Sequence, residues 1–297
     1  MSTKTKKLSK AEVEKQALRI LEKARREPRF QAQRERNALL DAIRHGHSDI
    51  AHSLLVHGVD PNSTEPKGRS ALWYSAHCGL NDLIRDLVVR GARLPDDVLM
   101  GPVHDGDVNL VRFLISRGAN ANCVATFTRY SYKFPQKEVL LTVAIQHISM
   151  LEIAERTALK MRAARTAKWR AAHTPGPPNG DLESIPVMLI KAGADVNRLA
   201  FEYSFYEGFI RTTLGLAAHH GYVRTVKAML AAGANVNQKD TWGGTALFDA
   251  AHEGHRQVVK ILLAAGAKRD IKRRDGATPA SIARDRGFVD LANLIAA

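Results

Sequence analysis

The sequence predicts an all-α solenoid of stacked helix pairs, and three observations carry that prediction. A phrase built on glycine, a small residue and a side chain of the Asp or Asn type recurs at Gly58-Val59-Asp60-Pro61-Asn62, Gly118-Ala119-Asn120-Ala121-Asn122, Gly193-Ala194-Asp195-Val196-Asn197 and Gly233-Ala234-Asn235-Val236-Asn237. Reduced copies open at Gly91-Ala92 and Gly266-Ala267, and a second glycine stands twelve residues before five of these six, at Gly46, Gly79, Gly106, Gly221 and Gly254. Between the paired glycines lie segments such as Leu110-Val111-Arg112-Phe113-Leu114-Ile115 and Gln257-Val258-Val259-Lys260-Ile261-Leu262-Leu263, which read as short helices with one buried stripe. Upstream come small-faced patterns suited to close stacking, Leu214-Gly215-Leu216-Ala217-Ala218 and Leu247-Phe248-Asp249-Ala250-Ala251. A helix pair of this size cannot bury its own apolar side, so the copies must stack into a continuous core.

Composition narrows the class further. The 297 residues include 44 Lys plus Arg against 30 Asp plus Glu, a net charge of +14, with 45% hydrophobic residues. The two cysteines, Cys78 and Cys123, exclude a disulfide scaffold and a four-cysteine zinc site and suit a reducing, cytoplasmic location. The basic start Met1–Lys7 leads into a charged amphipathic stretch and not an apolar one, which is not the pattern of a secretory signal. The apolar stretch Val139–Ile145 is far shorter than the roughly 20 residues of a membrane-spanning helix.

Taken along the chain, residues 1–36 form a basic N-terminal helix and lead-in, and 37–297 the repeat domain. Ser9 and Glu12 stand at capping-box spacing with Leu8 and Val13 as a hydrophobic staple. The helix that follows, from about Lys10 to Arg26, carries Val13, Ala17, Ile20 or Leu21, and Ala24 on one stripe. It serves either as a cap over the first unit or as a basic tail that contacts nucleic acid.

The repeats themselves are identified by Thr245-Ala246-Leu247-Phe248-Asp249-Ala250-Ala251 with Gly254-His255, and by Ala277-Thr278-Pro279-Ala280-Ser281-Ile282-Ala283 with Gly287. These resemble the ankyrin repeat family, whose unit of about 33 residues has a Thr-Pro-Leu-His-x-Ala-Ala core, a second helix and a Gly-Ala-Asp-x-Asn turn. Seven units in register begin near residues 34, 67, 95, 136, 209, 240 and 275. The resemblance implies hairpin-like finger loops, an open concave surface and a non-enzymatic scaffold or adaptor that binds a protein partner. The turn asparagines Asn62, Asn122, Asn197 and Asn237 occupy the position that some members present to an asparaginyl hydroxylase, and they are equally plain turn residues.

The second glycines are separated by 33, 27, 75, 40 and 33 residues, so the register breaks in known places. The step of 27 shortens the turn before the third unit, whose first helix also contains Gly101-Pro102 and should be irregular. All the large insertions touch the fourth unit. Two lengthened turns, 123–138 and 198–211, hold nine of the chain's 18 aromatic residues. The first carries Phe127, Arg129, Tyr130, Tyr132, Lys133 and Phe134, and the second Phe201, Tyr203, Phe205, Tyr206, Phe209 and Arg211. Their alternation is a strand signal and predicts two hairpin fingers side by side. These side chains either pack on one another as a satellite core or form an interface hot spot, and one strand face can do each.

The third departure is an insertion at about 148–181. Ala144, Ile148, Leu151, Ala154, Ala158 and Met161 extend the first helix of the fourth unit to about Ala172, roughly 50 Å in all, before the stop at His173–Gly180. Its distal half carries Lys160, Arg162, Arg165, Lys168, Trp169 and Arg170 with no acidic residue after Glu155. This is either a solvated helix face or a docking site for nucleic acid or another anionic partner. The charge is concentrated accordingly: +7 in residues 1–36, +4 in 150–173, and only +3 in the remaining 237.

No nucleotide-binding loop, nucleophile elbow or Cys-x-x-Cys pair marks a catalytic or cofactor site, and no cofactor is expected. Nine of the 12 histidines fall beside the inter-helix glycine or its equivalent, which explains them by repeat position. His252-Glu253-Gly254-His255 is one residue short of zinc-protease spacing and straddles a turn, and with the other histidines explained by register no metal site is expected.

Overall fold

The structure, a computed structural model, describes residues 9–25, 31–66, 68–127, 136–146, 148, 181, 183–201 and 210–297. They divide into two compact units, residues 1–102 and 103–297, each a stack of helix pairs.

The first unit opens with α1 (Lys10–Arg25), held at its start by the expected box: Ser9 N–H donates to Glu12 Oε2 at 2.7 Å and Glu12 N–H to Ser9 Oγ at 3.3 Å. Its stripe of Val13, Ala17, Leu21 and Ala24 is buried against α2 (Gln31–Arg44) and α3 (Ser48–Val56). The helix therefore covers the apolar side of the first pair. The next pair, α4 (Ala71–His77) and α5 (Asn81–Val89), stacks on α2 and α3 through the fully buried Leu72, Leu83, Ile84 and Leu87.

The third unit is shortened at its first helix, as its Gly101-Pro102 suggests, though not because Pro102 breaks it. The helix α6 (Met100–His104) is only five residues long, but Pro102 falls in its first turn, where a missing N–H removes no helical hydrogen bond. Gly101 is required there for a different reason: a Cβ would lie 2.8 Å from the carbonyl oxygen of Ala76.

In the second unit, α7 (Val108–Ser116) is followed by an antiparallel pair, β1 (Val124–Phe127) and β2 (Gln136–Val139), in the register Val124 to Val139 and Phe127 to Gln136. Residues 140–146 are helical and buried at Leu140, Leu141, Ala144 and Ile145. The chain returns as α8 (Ser184–Lys191), which packs against α7. A second antiparallel pair, β3 (Leu199–Phe201) with β4 (Ile210–Thr212), leads into α9 (Thr213–His219) and α10 (Val223–Ala231). The stack closes with α11 (Ala246–His252), α12 (Arg256–Ala264), α13 (Pro279–Asp285) and α14 (Val289–Ala296). The small residues Ala217, Ala218, Ala250 and Ala251 are fully buried, which lets α9 and α11 approach closely.

One device fastens consecutive repeats. The Asn62 side chain donates to the Gly91 carbonyl at 3.2 Å and accepts from Arg93 N–H at 2.9 Å. Asn122 does the same with Gly193 and Asp195, at 2.8 and 2.7 Å. Asn197 reaches Gly233 and Asn235, and Asn237 reaches Gly266 and Lys268, at 2.7–3.2 Å. Each asparagine is itself held by the side chain two residues before it, as in Asp60 to Asn62 N–H at 2.8 Å. Because one amide both donates and accepts, aspartate could not replace it with both bonds intact.

Candidate protein-binding surface

The two lengthened turns begin on paired strands, and the sequence shows why. Val124-Ala125-Thr126-Phe127 and Ile210-Arg211-Thr212 are rich in β-branched and aromatic residues, with no helix signal. The base of the first hairpin is closed by Leu140 N–H donating to the carbonyl of the buried Cys123 at 3.3 Å. The base of the second is tied by the Thr213 hydroxyl, which donates to the Arg198 carbonyl. Thr212 then caps α9 by accepting from Gly215 N–H at 2.9 Å. β2 and β3 are neighbours in the stack, so both long turns leave from one end of it.

Among the aromatic-turn residues, the structure places Phe127 at the end of β1, opposite Gln136, and Phe201 at the end of β3, opposite Ile210. Arg129, Tyr130, Tyr132, Lys133, Phe134, Tyr203, Phe205, Tyr206 and Phe209 lie outside the described residues. So do the cations Lys160, Arg162, Arg165, Lys168 and Arg170, Trp169, and the expected helical extension to Ala172.

Two features of this end lie beyond the sequence reading, an exposed tryptophan and the mostly buried pairing of Arg211. Trp242, in the turn between α10 and α11, is 41% exposed, and the Arg273 guanidinium lies 5.4 Å from its ring and 4.7 Å from that of Phe248. The turn is fixed by Asp240, whose carboxylate accepts from Trp242 N–H at 2.7 Å and Gly244 N–H at 2.8 Å. An isolated tryptophan in a turn gives no periodic signal, so only the structure reveals that it stands on the same kind of turn as the aromatic loops. Below it, Arg211 of β4 and Asp249 of α11 form an ion pair at 3.8 Å with side chains only 12% and 10% exposed.

The opposite end of the same helices carries histidine. Burial first, then the neighbouring Arg211 charge, pushes His219 down to about 3 and His220 down to about 4. Against the opposing cost of its own burial, the His252 hydrogen bond and the nearby His219, His252 and Arg286 charges hold the Glu253 carboxyl below the ordinary range. His255 does not join His252. Its Nε2 instead meets the His219 carbonyl at 2.9 Å, and its ring fills the space where a Cβ on Gly221 would go, at 2.7 Å.

Stacked helix pairs joined by hairpin turns present side chains on an outer surface, the arrangement of a repeat protein that works by binding. The family model described as Ankyrin repeats (3 copies) matches residues 170–275 and 214–297, and that described as Ankyrin repeat matches 34–65. The chain belongs to the ankyrin repeat family. Ankyrin repeats generally mediate protein–protein interaction, and proteins built from them are typically non-enzymatic modules. A comparison with curated proteins found no match. No helix among the described residues is long and apolar enough to cross a membrane.

Proposed function

We propose that the protein is a cytoplasmic scaffold or adaptor that captures a protein partner on the hairpin end of its second unit. The observation that carries this reading is the adjacency of β2 and β3, which starts both aromatic-rich loops from neighbouring strands. Phe127, Arg129, Tyr130, Tyr132, Lys133, Phe134, Phe201, Tyr203, Phe205, Tyr206 and Phe209 supply the contact, with the adjacent concave helices. Aromatic and Arg side chains at this density are the residue types that dominate interface energetics. Residues 1–36 and the insertion 148–181 act as basic attachments to the repeat domain 37–297.

Affinity capture from the native host, with and without nuclease and at low and high salt, tests this. The wild-type chain should retain a protein at high salt and after nuclease. The combined variant Tyr130→Ser, Tyr132→Ser, Tyr203→Ser and Tyr206→Ser should lose it while melting unchanged. A melting collapse in that variant would mean that the aromatics are core. Retention that depends on nucleic acid, with log affinity falling by roughly 0.9 per phosphate contact per unit of log salt, would transfer the function to the basic helix.

A further inference from the structure

We propose that His219, His252 and Glu253 form a binding site for one divalent transition-metal ion of the zinc class, bridging two consecutive repeats. One donor atom from each residue lies within 4.8 Å of the other two. His219 closes α9 and His252 closes α11, each standing two residues before its inter-helix glycine, Gly221 or Gly254. Stacking of the repeats therefore superposes the two positions. Glu253, the next residue, turns its carboxylate between them: Oε1 is 3.6 Å from His219 Nδ1 and 2.6 Å from His252 Nδ1.

Metal–ligand bonds of about 2.0–2.1 Å in tetrahedral geometry put ligand atoms roughly 3.4 Å apart. The first edge is close to that value. The second is a hydrogen bond, so the ion replaces the shared proton and spreads the pair by under about 1 Å. The three side chains remain 25%, 33% and 29% exposed, which leaves an entry path and room for water at the fourth position. Two imidazoles and one carboxylate favour zinc-class ions over the oxygen-seeking magnesium and calcium. The charged neighbours are Arg211 behind His219 and Arg286, whose Nε–H donates to the His252 carbonyl at 3.3 Å. The sequence argument against a metal explains His219 and His252 by repeat position and weighs spacing only for His252 with His255, so it does not register that the shared position brings the two rings and Glu253 together across one repeat.

Untagged protein, stripped with chelator, is titrated with Zn2+, with Mg2+ as the control ion. One Zn2+ per chain should bind, and at 100 times Kd melting should rise by roughly 5 °C or more. Co2+ should give the visible absorption of a four-coordinate nitrogen–oxygen site. His252→Ala and the near-isosteric Glu253→Gln should each weaken Zn2+ binding at least tenfold and abolish the Co2+ signal, whereas His220→Gln should keep both. Absence of binding, or binding unchanged in Glu253→Gln, would overturn the assignment and leave the Glu253 carboxylate as the hydrogen-bond partner of His252 alone.

Discussion

The turns that follow Gly118 and Gly233 carry the same asparagine staple under very different loads. Asn237 fastens its turn to one that begins 29 residues later, the spacing of an uninterrupted repeat, whereas Asn122 spans 71 residues to reach Gly193. Both donate to a glycine carbonyl and accept from the residue two places on, at 2.7–3.2 Å. The enlarged fourth repeat thus keeps the stacking of the regular ones. The two hairpin turns enter between helices, so their extra length adds loop-closure entropy, which grows only logarithmically with length.

This equivalence can be broken in graded steps. The largest effect belongs to the shared core. Leu247→Ala, at a fully buried position of α11, should destabilise the second unit by about 2–5 kcal/mol in chemical denaturation.

Next come the turn glycines, where the two regions should differ. Gly254→Ala places a Cβ 2.6 Å from the Phe288 ring at φ +77°, while at Gly118 (φ +87°) nothing lies within 4 Å. The Gly118 change should cost only the left-handed penalty, about 1–2 kcal/mol, and the Gly254 change clearly more. Equal losses in thermal melts would mean that Phe288 swings aside freely.

The staples themselves should be indistinguishable. Asn122→Ala and Asn237→Ala should each lose about 1–2 kcal/mol, two exposed hydrogen bonds apiece. A much smaller loss at Asn122 would show the interrupted junction to be looser than its geometry.

Acid acts on the second unit through the half-buried His219 and His220. Both folded values lie below the ordinary 6.5, at about 3 and about 4. The unfolded chain therefore binds more protons between those limits. The stabilisation is present above pH 6.5 and is lost as pH falls toward 4. In chelator, melting should drop across that window by several degrees, and the His219→Gln, His220→Gln double variant should flatten the drop. Finally, replacing residues 150–180 with a short Gly-Ser linker should change melting least, by about 1 kcal/mol or less.

Much of this was legible in the chain. Glycine periodicity gave the helix pairs, because left-handed turns admit little else. The N-terminal cap followed from Ser9 and Glu12 at a spacing of three, and the buried stripe of Val13, Ala17, Leu21 and Ala24 matches the periodicity. The strand alternation was read at Tyr130–Phe134 and Phe201–Phe205, whereas the described pairing covers 124–127 with 136–139 and 199–201 with 210–212. The described pairs lie at the bases of the two turns, and Tyr130–Phe134 and Tyr203–Phe205 lie outside the described residues.

What the sequence determined by itself was local and periodic: repeat phase, the α1 capping box, turn chemistry and the concentration of charge in residues 1–36 and 150–173. Only the tertiary structure decided which copies of a repeated position meet. His219 and His252 share one repeat position 33 residues apart, but that register does not say that the Glu253 carboxylate turns toward both, and Asn122 has no signal pointing 71 residues ahead to Gly193. Both pairings arise because stacking maps a repeat period onto a distance of a few ångströms, and between Asn122 and Gly193 the inserted residues hide that period from the linear chain.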